Sequence, residues 1–249
     1  MSILDLDCLV KNTDPSSCVS ADNHPLFPQF KPEQPFRWII TGMSGCGKTT
    51  LIVSALLSGQ IKFEHIYLYT PSVAQGKYKL LCKFINSLEK QMGQELMTVA
   101  TSIDEIVDLE DIPADRVNIC IFDDLVTEKD QKIIEEYFIR GRHRNVCSVY
   151  LTQSYFDVPK VVRKQANYFS VFKTSSITEF NSLASAHSLN RDLKLFKKMF
   201  QNATRKKNDF LFLDLFTDEY LLQVRRNYNG IWSDQSEEFV DVETTNLAE

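Results

Sequence analysis

The chain has 249 residues, 43% of them apolar and 24% charged, with a formal net charge of −5; that length suits one α/β core with a modest extension rather than two full domains, and the composition is that of a soluble globular protein. No apolar run reaches the roughly 20 residues that span a bilayer, and Met1–Val10, with Asp5 and Asp7, lacks the basic region of a signal peptide, so action inside a cell and no membrane partner are expected. Six cysteines without a CxxC pair and four scattered histidines argue against a disulfide framework or a structural zinc site.

In chain order, residues 1–35 carry polar turn formers and then Pro25, Pro28, Pro32 and Pro35, which predicts an extended N-terminal strap or tail. Phe36–Thr41 is a short apolar run with the character of a buried strand. It leads directly into Gly42-Met43-Ser44-Gly45-Cys46-Gly47-Lys48-Thr49, which fits G-x-x-x-x-G-K-[ST] at every fixed position. Glycines let such a loop wrap with its backbone N–H groups aimed at a phosphate, and the positive end of the following helix adds to the attraction. Gly42, Ser44, Gly45, Cys46, Gly47, Lys48, Thr49 and Thr50 are therefore the candidate nucleotide-binding residues. Lys48 is placed for the β- and γ-phosphates and Thr49 for Mg²⁺. Cys46 beside the helix N-terminus is in a setting that lowers a thiol pKa, or is simply a small residue that fits the loop.

A helix over Thr49–Leu57, a strand over His65–Thr70 and an amphipathic helix over Lys77–Lys90 follow. Asn118–Phe122 is the next strand, and it ends on Asp123-Asp124. A P-loop enzyme needs an acidic residue at a neighbouring strand end to hold the Mg²⁺ shell, so Asp123 is the candidate metal-side carboxylate, with Thr49 as the other metal residue. Asp124 is the candidate to orient or activate the attacking water. After a helix over about Lys129–Arg140, the strand Val146–Thr152 ends on Gln153, a polar group that either faces the γ-phosphate or belongs to the loop. A short helix after Pro159, a strand over Tyr168–Lys173, and helices over Thr178–His187 and Arg191–Asn202 come next. Strands at Asp209–Leu215 and Tyr220–Val224 form a closing antiparallel pair, and residues 233–249 form an acidic flexible tail. Alternating strands and helices indicate an α/β P-loop NTPase of the ASCE/RecA-like class over residues 36–232, with a mainly parallel sheet, helices on both faces and an antiparallel edge near the C-terminus.

Charge is unevenly distributed. Tyr137–Lys207 holds 14 Lys/Arg against 3 Asp/Glu, while the remainder holds 14 against 30. One basic segment in an acidic chain points to a polyanion-binding surface, or to charges that folding scatters over solvated helix faces. Lys194, Lys197, Lys198, Arg205, Lys206 and Lys207 are the residues suited to phosphate contacts.

Ile39–Thr50, Ile121–Leu125, and Arg140-Gly141-Arg142-His143-Arg144-Asn145 running into Tyr150-Leu151-Thr152-Gln153-Ser154-Tyr155-Phe156 and Pro159 together resemble the DNA-packaging ATPases of poxviruses, other large DNA viruses, virophages and polinton-type elements, within the FtsK–HerA superfamily. The resemblance spans Phe36 to Lys173. It implies a homo-oligomeric ring that couples ATP hydrolysis, with Mg²⁺, to pumping double-stranded DNA into a preformed capsid. It further implies docking on a capsid portal or vertex protein, at virion assembly sites in the host cytoplasm or nucleus or within the virion. Gln153 corresponds to the family's sensor glutamine. Arg142 is the candidate arginine for a neighbour's nucleotide, with Arg140, Arg144 and Arg163 as alternatives. Lys48, Asp124, Gln153 and Arg142 make up the candidate catalytic set. Many members carry Asp-Glu where this chain has Asp123-Asp124, so the base here is one methylene shorter. A GTPase is disfavoured by the absence of N-K-x-D; a small-molecule kinase gives no role to the Arg140–Gln153 stretch. A cellular or mobile-element DNA translocase, or a non-hydrolysing ATP-binding assembly switch, remains as the alternative.

Overall fold

A computed structural model describes residues 35–125, 131–174, 176–189 and 191–241. The strap expected over 1–35, apart from Pro35, and the last residues of the expected tail, 242–249, lie outside them. The elements in order are β1 (Arg37–Thr41), α1 (Lys48–Leu57), β2 (His65–Tyr69), α2 (Gly76–Met92), β3 (Met97–Ala100), β4 (Asn118–Asp123), α3 (Lys132–Arg140), β5 (Val146–Thr152), α4 (Lys160–Gln165), β6 (Tyr168–Phe172), α5 (Ile177–His187), α6 (Leu193–Ala203), β7 (Phe210–Asp214), β8 (Val224–Arg226), β9 (Gly230–Ser233) and β10 (Glu238–Asp241).

The strands form one sheet in the order β10-β9-β8-β7-β6-β1-β5-β4-β2-β3. From β3 to β6 every neighbouring pair is parallel, and from β6 to β10 every pair is antiparallel. Strands β2, β4, β5, β6 and β7 are buried at every residue, which is why their sequences read as continuous apolar runs and not as alternations. Side chains alternate between two cores. Trp38 and Ile40 of β1, with Ile119, Ile121, Val149 and Leu151, pack against Ile52, Leu56, Tyr78 and Leu81 of α1 and α2. Ile39, Phe122, Tyr150 and Phe169 face Tyr137, Val162, Leu183 and Phe196 of α3 to α6. In α6 the apolar residues Phe196, Met199, Phe200 and Ala203 are the buried ones, a single stripe at helical spacing.

Because β1, β4 and β5 run in parallel, their C-terminal ends share one edge of the sheet. Crossovers leave β1 over one face and return to β6 over the other, which opens a crevice at the end of β1.

Four parts of the sheet depart from the sequence expectation, among them β9, which has no expected counterpart. β3 is an edge strand of four residues, too short to carry a pattern; Glu89 Oε1 accepts hydrogen bonds from the N–H groups of Leu96 (2.8 Å) and Met97 (3.1 Å) at its start. The strand expected at Tyr220–Val224 begins only at Val224. Arg191 lies over the Tyr220 ring at 3.9 Å, and the N–H groups of Leu222 and Gln223 donate to Glu219 O at 2.9 and 3.2 Å, so Tyr220–Gln223 is a turn. Glu238–Asp241, expected in the acidic tail, pairs antiparallel with β9. Its one inward residue, Phe239, stacks edge-on to Trp232 at 5.2 Å, while Glu238, Val240 and Asp241 face outward.

The antiparallel half is fastened by a buried ion pair. Arg225 Nη2 donates to Asp214 Oδ2 at 3.0 Å, with each side chain only 1% exposed. Removing one partner strands a buried charge, which commonly costs about 3–5 kcal/mol. Asp214→Ala should therefore lower stability by about that much in urea denaturation, whereas Asp241→Ala, which removes the exposed partner of Arg226, should cost about 0–1 kcal/mol. Equal losses would contradict this assignment.

Candidate nucleotide site

The crevice holds a cleft of about 560 Å³. Ser44, Gly45 and Gly47 of the loop between β1 and α1 form its floor, while Gly42 and Cys46 do not line it. Two glycines are required by geometry. A Cβ on Gly42 would lie 2.6 Å from Phe172 Cβ and 2.9 Å from Cys46 Sγ, and Gly47 has φ +111°, a conformation that side-chain-bearing residues avoid. The Gly42 N–H donates to Thr152 O at 3.2 Å, so the loop is tied to the end of β5. Lys48 Nζ donates to Gly42 O at 2.6 Å and to Met43 O at 3.2 Å, arching back over the loop where phosphate oxygens would compete for it.

Lys48, Thr49, Asp123, Asp124 and Gln153 all line this cleft, with Ser44, Gly45, Gly47 and Thr50. Gly42 and Met43 border a separate smaller cavity of about 130 Å³, which Gln153 lines as well. Asp123 ends β4 and is 6% exposed. Burial pushes its carboxyl above the usual carboxylate range, against the opposing pull of the Tyr78 hydroxyl, Lys48 and Thr49. Asp124 is half-buried at φ +59°, and its N–H donates to Leu151 O at 3.3 Å. Gln153 is exposed just past β5, with Nε2 3.5 Å from Asp124 Oδ1. A buried carboxylate beside a threonine hydroxyl, with solvent space in front, fits Mg²⁺, which takes few protein ligands and keeps its waters.

The Cys46 thiol is half-buried, and burial pushes its pKa up by more than Lys48 and the backbone N–H groups pull it down; the helix N-terminus does not prevail. Arg142 does not reach the cleft of its own chain. It sits exposed in the turn Gly141–Arg144 before β5, at the opposite edge of the sheet, and β5 is seven residues long, which at about 3.3 Å per residue separates the two edges by roughly 20 Å. Arg140 pairs with Glu110, and Arg144 donates to the carbonyls of Glu110 and Ile112. Arg163 lies over the Tyr155 ring at 4.8 Å.

The basic segment is only partly free. Lys198 pairs with Glu237, Arg191 is buried over Tyr220, and Lys207 lines the nucleotide cleft. Lys194, Lys197, Arg205 and Lys206 are exposed and join no ion pair among the described residues.

Sequence reasoning missed Tyr78, which has no motif to announce it. Fully buried on α2, it donates from its hydroxyl to Asp123 Oδ2 at 2.6 Å and so fixes the carboxylate's direction. Its own pKa is pushed well up by burial and by Asp123. Losing one such hydrogen bond is worth about 1 kcal/mol, so Tyr78→Phe should weaken Mg²⁺-dependent ATP binding roughly fivefold in a calorimetric Mg²⁺ titration. Unchanged Mg²⁺ dependence would show that Tyr78 only fills space.

The profile of the Poxvirus A32 protein family matches residues 29–221. The DNA packaging proteins OPG160 of Variola virus and of Vaccinia virus (strain Copenhagen) are each 29% identical to this chain over 159 residues, 61% of this chain and 58% of theirs. The chain thus spans a little over half the length of these curated relatives. Among solved structures, B204, the DNA-packaging ATPase from Sulfolobus Turreted Icosahedral Virus, aligns at a TM-score of 0.53 and 19% identity, over 74% of this chain and 94% of that one. The genome packaging NTPase B204 from Sulfolobus turreted icosahedral virus 2 in complex with AMPPCP gives 0.51 and 17%, over 75% and 94%. These two share the fold. With the family profile covering well over half of the sequence, from before β1 to beyond β7, the chain belongs to the Poxvirus A32 protein family.

Proposed function

We propose that this protein is a subunit of a ring-shaped motor that hydrolyses ATP to drive double-stranded viral DNA into a preformed capsid. The observation that carries this reading is the convergence of Lys48, Thr49, Asp123, Asp124 and Gln153 on one cleft at the ends of β1, β4 and β5. Membership of the Poxvirus A32 protein family and the packaging role named for the OPG160 relatives support it. The relatives' role also favours packaging over cellular DNA translocation.

In this reading the loop N–H groups and Lys48 hold the phosphates of ATP. Thr49 and Asp123 hold Mg²⁺, which neutralises charge on the transferring phosphoryl group. Asp124 orients the attacking water, and Gln153 at hydrogen-bonding range of Asp124 reports whether the γ-phosphate is present. Arg142 acts on a neighbour's nucleotide, since Arg140 and Arg144 are engaged by the Leu109–Asp111 turn and Arg142 is exposed on the far edge. In a head-to-tail ring each subunit completes the next one's site. Lys194, Lys197, Arg205 and Lys206 contact DNA phosphates without reading sequence. No helix among the described residues is long and apolar enough to cross a membrane. The subunit works on a capsid portal or vertex protein where virions assemble in the host cell.

Lys48→Ala should cut ATP turnover by about two to three orders of magnitude with circular dichroism unchanged; near wild-type turnover would overturn the enzyme reading. Asp124→Asn should slow hydrolysis while sparing ATP affinity, and Asp123→Asn should lower both together. Arg142→Ala subunits should regain ATPase activity when mixed with Lys48→Ala subunits, because each supplies what the other lacks. Absence of rescue would rule out Arg142 acting across the subunit boundary.

A further inference from the structure

The cleft is longer than a triphosphate needs. Strand order places β4, with Asp123, two positions to one side of β1, and β7, with Phe210, two positions to the other. At about 4.8 Å between strands, the acidic end and the β7 end each lie roughly 10 Å from the phosphate loop. Asp124 and Gln153 occupy the acidic side, so a γ-phosphate directed at them leaves the ribose and base to run toward β6 and β7. There the cleft is walled by Phe172, Phe210, Lys207 and Asn208.

Asn208 stands out at that end. It has φ +70°, a left-handed conformation that asparagine tolerates and most residues do not, and its side chain passes close to the phosphate loop. A Cβ built on Gly47 would lie 3.7 Å from Asn208 Cβ and 3.8 Å from its Cγ. The turn that carries it is braced. Asn227 Nδ2 donates to Asp209 Oδ1 at 3.1 Å, Asn227 Oδ1 accepts from the Phe210 N–H at 3.1 Å, and the Asn227 N–H donates to Phe210 O at 2.9 Å. The Asn208 amide is exposed and makes no side-chain hydrogen bond to another described residue. An unengaged amide carried on this braced turn offers one donor and one acceptor in a plane. That pair matches the N6–H₂ donor and N7 acceptor of adenine, whereas guanine presents two acceptors on the same edge.

We infer that Asn208 reads the base of the bound nucleotide and selects adenine over guanine, which assigns the end of the α6–β7 turn, Lys207 and Asn208, to the nucleotide and leaves Arg205 and Lys206 to DNA. Lys207, next in the chain and grouped by sequence with the DNA-facing lysines, faces the same cleft. The inference rests on the reading of the cleft as a nucleoside triphosphate site.

The test uses the full chain and four ligands: Mg²⁺ complexes of ATP, 7-deaza-ATP, GTP and inorganic tripolyphosphate, with binding followed by calorimetry. Asn208→Gly removes the amide and keeps the positive φ free of strain. Wild-type protein should bind ATP about tenfold more tightly than 7-deaza-ATP or GTP, the scale of one bidentate pair. Asn208→Gly should bind the three nucleotides alike, ATP about tenfold more weakly than wild type does, and tripolyphosphate with wild-type affinity. Wild-type discrimination retained in Asn208→Gly, or equal wild-type affinity for ATP and 7-deaza-ATP, would overturn the assignment while leaving the triphosphate site standing. Failure of the wild type to bind any of the four would overturn both.

Discussion

The absence of a side chain at Gly42 is the constraint on which the site depends. The backbone there passes so close to Phe172 of β6 that even a methyl group would overlap it, and such a group would also crowd the Cys46 sulfur. On the other side its N–H is bonded to the last carbonyl of β5. The loop is thereby clamped between the two strands that flank β1, and its shape is set before any ligand arrives. Lys48 shares in that preorganisation. Its ammonium is satisfied by the carbonyls of Gly42 and Met43, so an incoming phosphate exchanges hydrogen bonds with the lysine and does not have to order it from a free rotamer ensemble.

Division of the sheet follows from the same edge. Parallel strands put the ends of β1, β4 and β5 side by side, which is how residues 75 positions apart in the chain, Lys48 and Asp123, come to share a cleft. The antiparallel half performs a different service. β7 runs opposite to β6, so its beginning and not its end lies beside the cleft, with Phe210 opposite Phe172. The turn before β7 therefore becomes a wall of the nucleotide site. The Asp214–Arg225 pair and the Asn227 brace hold β7 and β8 together behind it. The late basic residues thus split between two tasks that their adjacency in sequence conceals: Lys207 faces the cleft, and Lys194 and Lys197 lie exposed on α6.

The parallel core was legible because strands buried on both faces have to be uninterrupted apolar runs, and because Gly42–Thr49 and Asp123-Asp124 are fixed by chemistry at strand ends. The edge strands β3 and β10, and β9 beside β10, were not. Glu238–Asp241 buries a single residue, Phe239, so its composition is that of a solvated tail. Tyr220 looks like a strand residue by type but spends its ring on Arg191. Tyr78 and Asn208 illustrate the limit more sharply. Each matters through a neighbour far away in the chain, Asp123 for one and the loop at Gly47 for the other, and neither sits in a pattern of its own. Local charge density likewise showed that a basic segment exists without showing which cations folding leaves free.

Steady-state ATP hydrolysis by the purified chain, measured with and without duplex DNA at low and raised salt, probes the coupling of nucleotide and DNA most directly. A DNA motor has hydrolysis that rises when duplex is added, and the stimulation fades as salt screens the phosphate contacts. Hydrolysis indifferent to DNA at every salt concentration would contradict a motor and leave an ATPase uncoupled from DNA.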